Sequence, residues 1–260
     1  MDFFDSMMDP FRWLVSVTMV WFHDVLGGMG LPAASGWSWT LAIVCLVLVI
    51  RAVLLPVSLK QIQAQHRMRL LQPDLAKLQE KYKGMTDPLS RQAMAQEQMA
   101  LYKEHGTNPF SACLPMLIQV PFFFALFQVL SGIPAAARQD QGIGAMSHEQ
   151  VVQFDEASIF GAPLSASVLH GSAGDPVAVA LLTILMILAM TAAQFITQKR
   201  VMGQAAPEVA AANPFLRQQK VILYILPVVF GVGGVLFPIG VLIYWTTTNL
   251  WTMVQQFAIK

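Results

Sequence analysis

Charge is scarce in this chain. Only 12% of its 260 residues are charged against 55% hydrophobic, and the mean hydropathy is +0.55. Cysteine is scarcer still. Cys45 and Cys113 are far apart, so they form no C-x-x-C redox or zinc pair. Both lie in apolar runs, where a thiol behaves as a small hydrophobe. The opening Met1-Asp2-Phe3-Phe4-Asp5 lacks the basic region of a secretory signal, and no nearby cysteine suits a lipoprotein anchor. A phosphate-binding glycine loop ending in Lys-Ser/Thr is missing, and His148-Glu149 lacks the second histidine of a zinc-protease helix. No cofactor, metal or enzymatic activity is therefore expected. The net charge of +1 argues neither for nor against nucleic acid, and no direct nucleic-acid partner is expected.

Long apolar runs are what the chain does have. Each of several windows holds about 20 mostly apolar residues, enough for a helix to cross ~30 Å of hydrocarbon. In lipid the backbone must satisfy its own hydrogen bonds, so such windows are helices. Five spans are expected: Trp37 to Val57, Phe110 to Leu130, Pro176 to Thr197, Val221 to Leu236 and Pro238 to Phe257. Gly231, Gly233, Gly234 and Pro238 divide the last apolar stretch in two. The fold class is an all-α integral membrane protein.

Basic residues set the expected orientation. Lys60, Arg67, Arg69, Lys77, Lys81, Lys83, Arg91 and Lys103 lie between spans one and two. Lys199, Arg200, Arg217 and Lys220 lie between spans three and four, and Lys260 ends the chain. The segment 131–175 carries only Arg138 against five carboxylates. The positive-inside rule then places the N-terminus outside and the C-terminus in the cytoplasm. Pro10 to Leu31 is expected as an interfacial helix on the outer side. A sixth span is the alternative, at the cost of placing Asp2, Asp5 and Asp9 inside.

The loop 58–107 is too regular for a tether. Met68, Leu71, Leu75, Leu78 and Tyr82 repeat at alternating three and four, the seam of a helix that pairs with another. Gly84 suits a helix end, and Asp87-Pro88 supplies an N-cap and a first-turn proline for a second helix, Leu89 to His105. This cytoplasmic hairpin is either a solvated spacer or a docking surface, with Lys77, Lys81, Lys83 and Arg91 as its partner face. Segment 131–175, rich in Gly, Ala and Ser, shows no clear period and is expected to be an outer loop with at most a short helix.

Arg51 is the one charge inside an expected span. Such a residue costs about 2.5–3.5 kcal/mol on insertion scales and usually faces a bundle interior or a wet cavity. Its alternative is to snorkel to the inner headgroups. Gln119, Gln128, Gln194, Tyr244, Thr246, Thr247, Thr248 and Asn249 are polar groups in the other spans. Singly, each is explained by a bond across a helix interface. Together with Arg51 they suit a hydrated, positively charged groove that attracts acidic segments. Pro56, Pro115, Pro121, Pro227 and Pro238 imply bent helices that suit a cleft. Phe122-Phe123-Phe124, Met186 and Met190 offer soft apolar surface to lipid or to a guest helix.

These residues resemble the YidC/Oxa/Albino family of membrane protein insertases. The likeness rests on Arg51 followed by Leu54-Leu55-Pro56 and Lys60-Gln61, then Leu78-Gln79-Glu80-Lys81-Tyr82. It continues through Leu101-Tyr102-Lys103-Glu104-His105-Gly106 and Asn108-Pro109-Phe110 into Cys113-Leu114-Pro115 and Gln119-Val120-Pro121-Phe122-Phe123. Phe237-Pro238-Ile239-Gly240, Tyr244-Trp245, Asn249-Leu250 and Gln255-Gln256 complete it. The resemblance implies an insertase and chaperone of the bacterial plasma membrane, monomeric, acting alone or beside the Sec translocon. Newly made membrane proteins and lipid are its implied partners. Arg51 becomes the groove arginine, and Gln119, Gln194, Tyr244 and Trp245 become groove or substrate contacts. Within these 260 residues neither the large periplasmic domain of some members nor the basic tail many use to hold ribosomes is expected, and the outer loop is longer than in compact members. A small-molecule transporter or channel, or an assembly factor in which Arg51 merely snorkels, are the rival readings.

Overall fold

A computed structural model describes residues 2–85, 87–106, 114–169, 174–202, 225, 229, 231 and 233–258. The apolar run opened by Trp37 becomes helix α2 (Gly36–Val53), preceded by α1 (Asp2–Gly28). Then come α3 (Leu55–Leu70), α4 (Gln72–Lys81), α5 (Pro88–Glu104) and α6 (Leu114–Arg138). The short helix α7 (His148–Glu156) leads into two strands, β1 (Ser158–Ile159) and β2 (Ala162–Pro163), paired antiparallel. Helix α8 (Pro176–Met202), a 3₁₀ turn (Gly234–Leu236) and α9 (Ile239–Ala258) complete the described elements. The chain divides into two compact units: residues 1–53, 119–197 and 227–260 in one, and 54–118 with 198–226 in the other.

Among the described residues, three helices are long and apolar enough to cross a membrane: Gly36–Val53, Ile118–Arg138 and Pro176–Arg200. Helix α9 has 20 residues but is diluted by Thr246, Thr247, Thr248, Asn249, Gln255 and Gln256. The expected fourth span lies mostly outside the described residues, as do Asn108-Pro109-Phe110, Cys113, Arg217, Lys220 and Lys260. Helix α1, at 27 residues, is not apolar enough to qualify.

Three boundaries differ from the sequence reading. The expected span to Val57 stops at Val53; Leu54 turns, and Pro56 falls in the first turn of α3, where its missing N–H costs nothing. Helix α1 starts at Asp2, not Pro10, and runs through that proline. Residues 131–138, assigned to the outer loop, continue α6.

The described residues 139–169 of that segment are structured rather than loose. Ser147 caps α7 by accepting from Gln150 N, and the Gln150 side chain accepts from Ser147 N in return. Phe154 and Leu164 are fully buried and join the core of the first unit. Helix α9 begins at a proline-bounded N-terminus whose free N–H groups need acceptors. Ile239 N donates to Ala166 O (2.9 Å) and Gly240 N to Leu164 O (2.8 Å), so the segment between α6 and α8 caps α9. Around it pack Trp39, Ile43 and Leu46 of α2, Leu126, Leu130 and Ile133 of α6, and Ile239 and Leu242 of α9, at the spacing of single helix faces. The Trp39 indole stacks on His23 of α1 (3.7 Å) and meets Phe154 edge-on (5.3 Å).

In the second unit, Pro73 opens α4, and the seam residues Leu71 and Leu78 are buried. Gly84 and Gly106 take the left-handed conformation after α4 and α5 (φ 84° and 57°). Asp87 caps α5 by accepting from Ser90 N (2.8 Å). Across the α4–α5 pair, Lys81 Nζ donates to both Glu97 oxygens (2.7 and 2.8 Å), and Tyr82 Oη donates to Glu97 Oε1 (2.8 Å). Those bonds hold the Glu97 carboxyl below its ordinary 4.5, while the bond to Glu97 lifts Lys81 above its ordinary 10.5.

The close approach of α2 and β1 can be tested by substitution. A Cβ at Gly36 would lie 2.0 Å from Ser158 O, whereas one at Gly240 meets its neighbours at 3.3–3.4 Å. Gly36→Ala should cost about 1–3 kcal/mol or more by overpacking and lower the unfolding midpoint in detergent further than Gly240→Ala. Equal midpoints for the two variants contradict the close approach. For the hairpin, the lowered Glu97 value means its contribution is present above the ordinary carboxylate value and is lost as pH falls through the lowered one. The raised Lys81 value means its share is present below 10.5 and is lost at still higher pH. Glu97→Gln should therefore speed amide exchange across residues 72–104 at neutral pH and low salt, with the difference from wild type closing in acid and in high salt. Identical exchange of the two proteins at neutral pH and low salt would show that Glu97 does not hold the pair.

Candidate functional site

Arg51 sits in the last turn of α2, where a cation complements the carbonyl end of the helix. This is nearer the helix end than the sequence reading placed it, which by itself favours escape to the headgroups. Its surroundings oppose that. Arg51 Nε is buried without a hydrogen-bond partner, and no ion pair among the described residues engages Arg51. A buried guanidinium nitrogen left unpaired by protein costs a few kcal/mol unless water or a bound group satisfies it.

Tyr244 of α9 lies within electrostatic reach of Arg51. Its side chain is buried, and Gln119 Nε2 of α6 donates to its hydroxyl oxygen. Three helices thus bring one guanidinium, one phenol and one carboxamide to a common place. All three are polar, and none is anionic at neutral pH. The arrangement is a hydrogen-bonding surface biased toward accepting negative charge, and it holds no nucleophile–base pair for covalent work.

The remaining polar candidates differ in what their side chains meet. Thr247 Oγ1 donates to Ile243 O (2.8 Å) and Asn249 Nδ2 to Trp245 O (2.9 Å), each bonding its own helix one turn back. That local bonding explains both without a groove. Gln128 Oε1 and Thr246 Oγ1 are buried with no partner, as Arg51 Nε is, and polar atoms so placed call for water. Gln194 is half-buried on α8, and no described bond joins it to Arg51, Gln119 or Tyr244.

Trp245, the residue after Tyr244, sits in an aromatic setting. It packs edge-on against Phe123 and Phe237 (5.7 Å each), and Phe127 meets Phe237 at 5.5 Å. Phe123 also approaches Tyr244 at 6.3 Å, so an aromatic cluster buttresses the polar group. Helical periodicity divides the Phe122-Phe123-Phe124 run: Phe124 is exposed, Phe122 meets Phe11 of α1 at 5.6 Å, and Phe123 points into the cluster. The spacing of Phe123 and Phe127, one helical turn apart, was the available signal.

The hairpin basic residues are less free than their count implied. Lys77 pairs with Asp74 (3.0 Å), Lys81 with Glu97 (2.7 Å) and Lys83 with Glu80 (2.9 Å). Arg91 is exposed near Asp87 at the start of α5.

Comparison with known proteins adds an independent line. The sequence model of the family described as "60Kd inner membrane protein" matches residues 31–260. A relative from Streptomyces avermitilis, named membrane protein insertase YidC, is 43% identical over 250 residues, covering 93% of this chain and 55% of its own length. This chain thus spans about half of that relative. Proteins of the same name from Tropheryma whipplei and Mycobacterium tuberculosis are 43% and 33% identical, over 98% of this chain and 84% and 72% of their own lengths. With 230 consecutive residues matched, and with the quoted motifs of spans one, two and five inside that range, this chain belongs to the 60Kd inner membrane protein family, the YidC/Oxa family.

Proposed function

We propose that this chain is a membrane protein insertase and chaperone that uses the Arg51 surface to receive the acidic N-terminal tail of a small membrane protein. The observation that carries the reading is the half-buried Arg51, its Nε buried without a hydrogen-bond partner, beside the Tyr244–Gln119 bond. A substrate carboxylate about 4 Å from that guanidinium gains roughly 4 kcal/mol at an effective dielectric of about 20, enough to offset much of its own desolvation. Arg51, Gln119, Tyr244 and Trp245 line a hydrated groove open to the cytoplasm and inner leaflet, with Gln194 on α8 as a further contact. The tail crosses a shortened apolar barrier there. The substrate's helix then slides past α8 and α9 into lipid, driven by partition at about 0.3–0.6 kcal/mol per central Leu, Ile, Val or Phe. Membrane potential assists outward movement of the acidic tail.

The topology belongs to the same proposal: five spans, the N-terminus outside with α1 at the outer interface, and the C-terminus cytoplasmic. The clustering of basic residues in 58–107 and 198–220 supports it. The α4–α5 hairpin then lies in the cytoplasm, offering Arg91 and the outer edges of Lys77, Lys81 and Lys83 to a partner or to anionic lipid. The Sec translocon and the ribosome are candidate partners, and the chain acts as a monomer.

Reconstituted vesicles test the groove. Arg51→Ala should reduce insertion of a single-span substrate with an acidic tail about tenfold, equivalent to ~1.4 kcal/mol, while Arg51→Lys retains most of it. Charge, rather than the guanidinium fork, is what the tail meets. A substrate whose tail carboxylates are changed to amides should lose its dependence on residue 51. Full insertion by the alanine variant would refute the groove role, and Arg51-dependent uptake of a small solute would favour a transporter. Tyr244→Phe, which removes the hydroxyl that Gln119 bonds, should slow insertion less than Arg51→Ala. A larger loss would make the phenol, not the guanidinium, the main contact.

A further inference from the structure

The turn joining β1 to β2 consists of Phe160 and Gly161, both in the left-handed region (φ 51° and 82°). Such a two-residue hairpin turn favours Asn, Asp or Gly, and a bulky side chain there is held against its local preference. Phe160 is also 74% exposed. An aromatic ring that is both conformationally and hydrophobically misplaced in water calls for another surrounding.

The neighbours say which. The Phe160 ring lies edge-on to Trp37 (5.4 Å), and Trp37 is itself 48% exposed at the first turn of α2. A Cβ on Gly161 would lie 3.6 Å from Ala178 Cβ, in the first turn of α8. The turn therefore sits at the ends of two helices that are apolar and long enough to cross a membrane. Exposed residues near those helix starts, Leu41 one turn after Trp37 on α2 and Val177 and Leu181 on either side of Ala178 on α8, are apolar. From Ala157 to Leu169 the sequence carries no charged residue. The opposite face of the hairpin is fixed: Ile159, Ala162 and Leu164 are buried in the core, so the tip is presented by a rigid support.

We infer that the Phe160–Gly161 turn, together with Trp37, is a membrane anchor that inserts into the headgroup–acyl boundary of the leaflet at the N-terminal end of α2. Phospholipid is the partner because the turn itself carries no charged side chain, is aromatic at its tip and is flanked by exposed apolar residues of both helices. The neighbouring Asp175 is engaged in accepting from Val177 N at the start of α8. The inference rests on α2 crossing the bilayer, not on the insertase reading, so either can fail alone. Its consequence is mechanical. The anchor fixes the outer segment that caps α9, and hence the end of the helix that carries Tyr244 and Trp245.

The test uses the full chain with Cys45 and Cys113 replaced by Ala, in phosphatidylcholine–phosphatidylglycerol vesicles. A nitroxide is placed by Ser158→Cys, on the same exposed strand face as Phe160, with Gln141→Cys as an exposed control. Power saturation should find the label at 158 reached by oxygen and shielded from an aqueous nickel chelate, and the label at 141 the reverse. Adding Phe160→Asn, which suits a left-handed turn, should lower the oxygen-to-nickel ratio at 158 several-fold without lowering the unfolding midpoint in detergent. A label at 158 as aqueous as at 141, or a ratio indifferent to the asparagine, overturns the anchor. Spin–spin broadening between copies would instead assign the patch to a second chain. A fall in midpoint would make Phe160 a packing residue for Trp37, and either result also overturns the proposal.

Discussion

One guanidinium placed among apolar helices without a carboxylate constrains everything around it. Arg51 cannot be neutralised by losing its proton, because guanidinium stays charged in proteins. It must therefore be kept wet, paired or able to reach the headgroups. No carboxylate is paired with it among the described residues, and its Nε is buried. The polar neighbours on other helices, Tyr244 and Gln119, bond each other and leave the charge available. Under the proposed function, a site built this way favours a passing anion without holding one permanently, which suits transient capture better than storage.

The aromatic cluster and the capped end of α9 give that polar group its rigidity. Phe123, Phe127, Phe237 and Trp245 interlock, mostly edge-on, which fixes the rotation of α9 and with it the direction of Tyr244. At the other end of the same helix, the carbonyls of Leu164 and Ala166 take the first free N–H groups. The outer segment is thus tied to the helix that carries Tyr244. Small residues make the tie possible: Gly36 admits Ser158 O, and Gly240 admits the Phe154 ring and Leu164 O.

Much of this was legible in the sequence because the physics is local. Apolar runs must be helical in lipid, so α2, α6 and α8 follow from composition. Proline and glycine mark the starts and ends of α4 and α5 through backbone dihedrals alone. Arg51 was conspicuous because charge in an apolar run is rare. The outer segment was not legible: its α7 and two-residue strands are too short to impose a period, and its order comes from burying Phe154 and Leu164 in a core formed by distant helices. Likewise, Thr247 and Asn249 had the same standing in the sequence as Tyr244, since only geometry separates a side chain bonding its own helix from one facing a neighbour. The hairpin lysines were visible as charges, but not as partners of Asp74, Glu80 and Glu97.

The claim that residue 51 presents a hydrated positive charge is tested most directly by removing the charge and restoring it chemically. In the chain lacking Cys45 and Cys113, Arg51→Cys is treated in vesicles with water-borne methanethiosulfonate reagents, one cationic and one anionic. Hydration of the site predicts that both reagents modify the introduced thiol and that only the cationic adduct restores insertion of an acidic-tailed substrate. A thiol that neither reagent reaches, or insertion restored equally by adducts of either sign, would contradict the account.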